Sequence, residues 1–158
     1  MRLSYQRFFI ELLIVSNVFL LDQITKIWAK EIVYKEINSF FNIAFVHNYG
    51  TTFGFFQFMY GRVHTFIFVV ILLIFSLAIY LFKTSKKFHE RISYSLIIGG
   101  ALGNIMDRMN DGYVTDFLQF HWRHWYYPTF NIADSFIVCG ILLLLFYQYI
   151  PSKNIRNE

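Results

Sequence analysis

Between Val63 and Phe82 the chain runs without one Asp, Glu, Lys or Arg. A helix of that length crosses roughly 30 Å of hydrocarbon. In lipid every backbone amide and carbonyl needs a partner within the protein, which leaves helices or closed barrels as spanning structures. Three more apolar segments, approximately residues 8–29, 90–107 and 134–150, suit the helical choice. Arg2 and Arg7 ahead of the first are also the start of a secretory signal peptide. No small-x-small cleavage site follows, however, and the run meets Asp22, Gln23 and Lys26, so it reads as a retained helix. The apolar runs of the last two, Ile92–Met106 and Ser135–Ile150, are shorter than the roughly 18–20 residues of a comfortable span. Polar ends turned to the bundle interior, Asn104 and Asp134, would extend them. The expected fold is a mainly α membrane protein of one domain, residues 1–158, with four transmembrane helices. Outer loops at about 30–62 and 108–133 carry a small β-containing subdomain.

Composition narrows the function classes. Hydrophobic residues make up 56% and charged ones 15%, against about 45–50% and 25% in ordinary soluble domains. A net charge of +4 is too small to argue for nucleic-acid binding. Cys139, the single cysteine, excludes an internal disulfide and any multi-cysteine metal site, and in its apolar run it reads as a small buried hydrophobe. Lys and Arg are densest beside the chain ends and the short 83–91 connection, so both termini are expected to be cytoplasmic. Trp28, Trp122, Trp125, Tyr126 and Tyr127 fall on the other side, where amphipathic rings sit at headgroup level.

The outer loops hold the polar residues that need an explanation. Phe40–Val46 has strand composition and leads into a turn-like cluster, Asn48 to Thr52. Phe53, Phe55, Phe56 and Phe58 then form an apolar patch, read either as a hairpin on lipid or as a flap over an extended substrate. Gly99 and Gly103 share a helix face and allow close helix packing. Asn104 and Arg108, one turn apart, share another. Asp107 is expected to pair locally with Arg108, and Asp111 to belong to an Asn-Asp-Gly turn. Val114, Asp116, Leu118, Phe120 and Trp122 alternate as one face of a strand. A carboxylate on that apolar face costs free energy unless paired, solvated or protonated. Asp134 opens a helix, where Asp is an ordinary N-cap, and Asn131 could share that task.

Taken alone neither aspartate is decisive; as a pair they have a chemistry. Peptide hydrolysis without metal or nucleophilic side chain needs one carboxylate to take a proton from water and one carboxylic acid to donate to the carbonyl oxygen. Two carboxyls sharing a proton meet that need, because neighbouring like charges drive their pKa values apart. Asp116 and Asp134 are therefore the candidate dyad, facing the outer side.

Five ordered motifs add a resemblance. Asp22-Gln23-Ile24-Thr25-Lys26, His47-Asn48-Tyr49-Gly50, Gly103-Asn104-Ile105-Met106-Asp107-Arg108, Val114-Thr115-Asp116-Phe117 and Phe130-Asn131-Ile132-Ala133-Asp134-Ser135 together resemble the bacterial lipoprotein signal peptidases (signal peptidase II), over essentially the whole chain. The resemblance implies an aspartic membrane endopeptidase that removes signal peptides from diacylglyceryl-modified prolipoproteins, cutting just before the lipid-bearing cysteine. It maps catalysis onto Asp116 and Asp134, and substrate binding or site shaping onto Asn48, Asn104, Arg108 and Asn131. Asp22, Lys26, Gly50 and Asp107 take supporting places. Thr51-Thr52 departs from the small apolar residues usual there. The implied setting is the bacterial cytoplasmic (inner) membrane with the site on its periplasmic side. The expected protein is a monomer in contact with membrane lipids, without metal or cofactor. Two rivals stand beside it. One is a metal hydrolase using His121, His124 and Asp116. The other is a non-catalytic transporter or scaffold with a buried carboxylate pair.

Overall fold

The computed structural model describes residues 2–49 and 62–149. Gly50, Thr51-Thr52, the Phe53–Phe58 patch, Lys153 and Arg156 lie outside the described residues. In chain order the elements are helix α1 (Arg2–Ile32), strands β1 (Tyr34–Asn38) and β2 (Phe41–Asn48), helices α2 (Arg62–Thr84) and α3 (Phe88–Asn110), strands β3 (Val114–Trp122) and β4 (Trp125–Tyr126), and helix α4 (Ile132–Tyr149). The architecture is mainly helical with one small antiparallel sheet in the order β1-β2-β3-β4. Among the described residues, α1 from Tyr5 to Ile32 and α4 are long and apolar enough to cross a membrane.

α3 is the central helix and packs on α1, α2 and α4. Its approach to two of these depends on missing side chains. A Cβ on Gly100 would sit 2.5 Å from the Ala133 carbonyl oxygen of α4, and one on Gly103 would collide with the Asp22 carboxylate of α1. Gly103 therefore makes room for a charged group, beyond the plain helix packing that its spacing from Gly99 suggests. At the opposite end of α3 the Arg91 guanidinium grips buried Glu11 of α1 through two hydrogen bonds of 2.6 and 2.7 Å. The same guanidinium lies 4.2 Å from the Phe82 ring centre in α2. This fork geometry ties three helices at one point.

The sheet differs from its expectation in two respects. β2 runs on through His47 to Asn48, the residue that reads as the start of a turn, because the backbones of His47 and Asn48 pair with Thr115 and Val114 of β3. Paired backbone groups outweigh the local turn preference. β3 does not bury one face along its length: Val114 to Phe117 are all buried, while Phe120 and Trp122 are half exposed. The first half lies against α1 and α3, with Phe117 packed among Ala29 and Ile43. The second half runs past the helices, where Trp122 stacks on Phe40 with ring centres 5.0 Å apart. Position relative to the bundle, more than the pleat, decides burial along this strand.

Candidate active site

Helix periodicity puts Asp22 and Lys26 one turn apart on the face of α1 that meets α3. The Lys26 ammonium reaches Asp22 at 2.7 Å and Asp107 of α3 at 3.0 Å, and it donates to the side-chain oxygen of Asn104 at 3.1 Å. All four residues are buried. Charges in such a place persist only when paired and hydrogen-bonded, and each carboxylate here has a further partner. Asp22 accepts the Ala133 amide at the start of α4 at 2.9 Å, where the positive end of the helix dipole favours an anion. Asp107 accepts the Thr115 amide of β3 at 2.9 Å. Gln23, passed over in the sequence although it lies within a motif, donates to Asp107 at 3.2 Å. One lysine thus anchors the three elements that carry the rest of the site. The expected Asp107–Arg108 pairing is corrected: Asp107 turns to Lys26, because a buried ammonium needs counter-charges more than a helix-end arginine does.

The same lysine fixes an amide. With its oxygen on Lys26, Asn104 turns its NH2 to Asp134 and donates at 2.7 Å. Asn131 is the N-cap of α4, and its side-chain oxygen accepts the Asp134 amide at 2.9 Å. The Asp134 carboxylate reaches back to the Asn131 amide at 3.3 Å, a reciprocal capping box. Asp134 is thus the third residue of the helix, and the expectation that it is the N-cap is corrected. The side-chain nitrogen of Asn131 points the other way and donates to Asp116 at 2.8 Å. Asn48, at the end of β2, donates to the other Asp116 oxygen at 2.7 Å. Asn131 therefore touches both aspartates.

The two carboxyls differ in surroundings. Asp116 is 1% exposed, whereas Asp134 is only partly buried and helps line a cavity of about 550 Å³. Burial raises the Asp116 carboxyl most, and the charge of Asp134 raises it further. The Asn48 and Asn131 donors and the Lys26 charge oppose them, and the balance lies at about 7. Arg108 donates to its own helix at the Asn104 carbonyl oxygen at 3.4 Å and lies close enough to Asp116 and Asp134 for their charges to act on it. Asp111 is not merely a turn residue, since it pairs with Lys30 at 2.9 Å. His121 stacks on Tyr126, and odd–even alternation puts it on the opposite face of β3 from Asp116. Among the described residues no three His, Cys, Asp or Glu side chains gather as a metal site.

Helices of membrane-spanning character with a small sheet and a buried polar site at one end define a class, that of membrane enzymes. A solved structure described as a bacterial membrane enzyme, determined by the in meso method at 1.9 Å resolution, superposes with a TM-score of 0.77 and 29% identity. The match covers 90% of this chain and 94% of that one. A second, at 2.3 Å resolution, gives 0.73 and 28%, covering 94% and 92%. Within that class, the chain belongs to the signal peptidase (SPase) II family, whose model matches residues 14–150, and it is accordingly a peptidase. The lipoprotein signal peptidase of Shewanella sp. (strain MR-4) is 38% identical over 152 residues, 92% of this chain and 89% of that protein. That of Rickettsia prowazekii (strain Madrid E) is 33% identical over 151 residues, 92% and 77%.

Proposed function

We propose that the protein is an aspartic endopeptidase that removes the signal peptide from diacylglyceryl-modified prolipoproteins, cleaving just before the lipidated cysteine. The observation that carries this reading is the double engagement of Asn131, which donates to Asp116 and exchanges hydrogen bonds with Asp134. It ties the two carboxyls into one site. Asp116 keeps its proton to about pH 7 and serves as the acid toward the scissile carbonyl oxygen. Asp134, nearer the cavity, takes the proton of the attacking water. Asn48, Asn104 and Asn131 hold the pair, and Arg108 offers a planar fork to a substrate carbonyl. Asp22, Lys26 and Asp107 hold the holders.

The chain forms one domain with four spans, its termini on the cytoplasmic side of the bacterial inner membrane and the aspartates at the periplasmic surface. The Lys/Arg bias, the aromatic residues around β3 and β4, and the exposed leucines of α1 and α4 support this placement. It acts as a monomer among membrane lipids. The transporter or scaffold reading has no support from a family of peptidases.

The purified chain in lipid nanodiscs is expected to cleave a diacylglyceryl-modified precursor and to leave the unmodified precursor intact. Mass analysis of the products reads the cut site. Failure to cleave either form, or cleavage elsewhere than before the cysteine, sinks the proposal.

The pH dependence follows from Asp116. Its folded value of about 7 lies above the ordinary 3.8, so between these values the folded chain holds a proton that the unfolded chain has lost. The stability contributed is complete below about pH 4 and disappears as pH rises through 7. Activity is expected to fall on the alkaline side with an apparent pKa near 7, since the pair needs one proton to share. A profile of kcat/KM flat from pH 6 to roughly 9 contradicts this.

A further inference from the structure

The cavity beside Asp134 lies between the β3–β4 hairpin and the first turns of α4. Phe120, Trp125, Tyr127 and Phe130 form one wall. Their rings make a continuous series, Phe120 stacked on Phe130 at 5.8 Å, Phe130 edge-on to Tyr127 at 6.1 Å, and Tyr127 against Trp125 at 6.1 Å. Val138 and Cys139 of α4 line it with Asp134 and Ser135. The volume, about 550 Å³, falls within the roughly 300–1,000 Å³ typical of small-ligand sites.

The lining says what such a ligand is made of. Ser135 spends its hydroxyl on the Asn131 carbonyl oxygen at 2.9 Å, and beyond Asp134 the walls are aromatic, aliphatic or thiol, with the Trp125 indole N–H and the Tyr127 hydroxyl as their few polar groups. A peptide segment placed here would leave most of its amides and carbonyls without partners, which is costly in a lipid-like setting. A hydrocarbon chain has no such groups. Direction agrees. From Asp134 to Cys139 the helix advances about 7.5 Å from the carboxylate pair into the apolar part of α4. A chain carried by the cysteine that immediately follows the scissile bond must also leave the headgroup level for the bilayer interior.

We propose that this cavity seats one acyl chain of the substrate's lipid, and that Val138 and Cys139 limit the length and bulk of the chain accepted. This rests on the prolipoprotein reading and adds a lipid-selecting subsite to it. The aromatic wall fixes the chain beside Asp134, so that binding energy from the lipid positions the scissile bond, which reacts elsewhere. Cys139, exposed and the only cysteine in the chain, doubles as a reporter of occupancy.

The test uses the full chain in nanodiscs and precursor peptides identical except for their cysteine, which bears dipalmitoyl-glyceryl, dibutyryl-glyceryl or no lipid. Native protein is expected to favour the palmitoyl form in kcat/KM. Cys139→Trp, which fills the cavity, is expected to lower the palmitoyl-to-butyryl ratio roughly tenfold, mainly through KM. Independently, a maleimide should alkylate Cys139 of the native protein more slowly in the presence of the palmitoylated product peptide, and at the ordinary rate with the unlipidated peptide. An unchanged ratio in folded Cys139→Trp overturns the subsite. So does labelling indifferent to the palmitoylated peptide, even where the tryptophan variant does not fold. Cleavage of no form by native protein is a different failure, that of the prolipoprotein reading itself.

Discussion

Asp116→Asn and Asp134→Asn, made separately, are each expected to lower turnover of a lipidated precursor about a thousandfold, the middle of the range that one acid or base supplies. The amide keeps the volume of the carboxyl and removes its ability to take or give a proton. The local hydrogen bonds predict how well each variant holds together. Asp134 uses one oxygen for Asn104 at 2.7 Å and meets the Asn131 amide only at 3.3 Å. An asparagine there retains the strong bond and loses the weak one, so the unfolding midpoint should stay near that of the native chain. Asp116 accepts amide donors at 2.7 and 2.8 Å, one on each oxygen. An asparagine at 116 must present its own NH2 to one of them, leaving two donors face to face in a buried place. That variant should lose about 1–3 kcal/mol as well as its turnover. Cleavage assays in nanodiscs, beside thermal unfolding of the same preparations, separate the two effects. Turnover within tenfold of native for either folded variant would remove that aspartate from the chemistry.

The contrast between the two positions also marks where sequence reasoning works. α1, α3 and α4 were legible because long apolar runs leave little choice of structure in lipid, though each helix extends beyond the expected bounds. β1 was not. Tyr34–Asn38 is exposed along its whole length and is a strand because β2 pairs with it; nothing in its own residues demands it. Asn131 and Asp134, three apart before an apolar run, carried the spacing of a capping box, so the reciprocal cap was readable, though the cap itself was assigned to the wrong member. The convergence of Asn48, Asn131 and Asp116 from three elements was outside what periodicity can give, since it depends on the register of β2 with β3. Arg108 misled for a related reason. Its adjacency to Asp107 suggested a local pair, while the partner that burial demanded came from α1.

That partner, Lys26, is where a single substitution should do most harm to the fold. Lys26→Met has the length to fill the space and none of the charge. It leaves Asp22 and Asp107, both buried, without the ammonium that reaches them at 2.7 and 3.0 Å. Breaking a buried ion pair from one side costs about 3–5 kcal/mol, equivalent to an unfolding midpoint lower by roughly 10 °C in a chain of this size. The damage should also spread to catalysis. Without Lys26, the Asn104 side-chain oxygen keeps only the Asn131 side-chain donor at 3.1 Å, so the amide that presents its NH2 to Asp134 is held less firmly in place. Adding Asp107→Asn to Lys26→Met removes one stranded charge and should recover part of the stability, a non-additivity expected of groups in one network. It should not recover turnover, because the orienting contact to Asn104 at 3.1 Å is still missing. Differential scanning fluorimetry of the native, single and double variants, with kcat measured on each, reads both quantities. A Lys26→Met protein with an unfolding midpoint equal to native would mean that the cluster is not held by charge. A double variant that regains full turnover would mean that Lys26 acts on the site through stability alone.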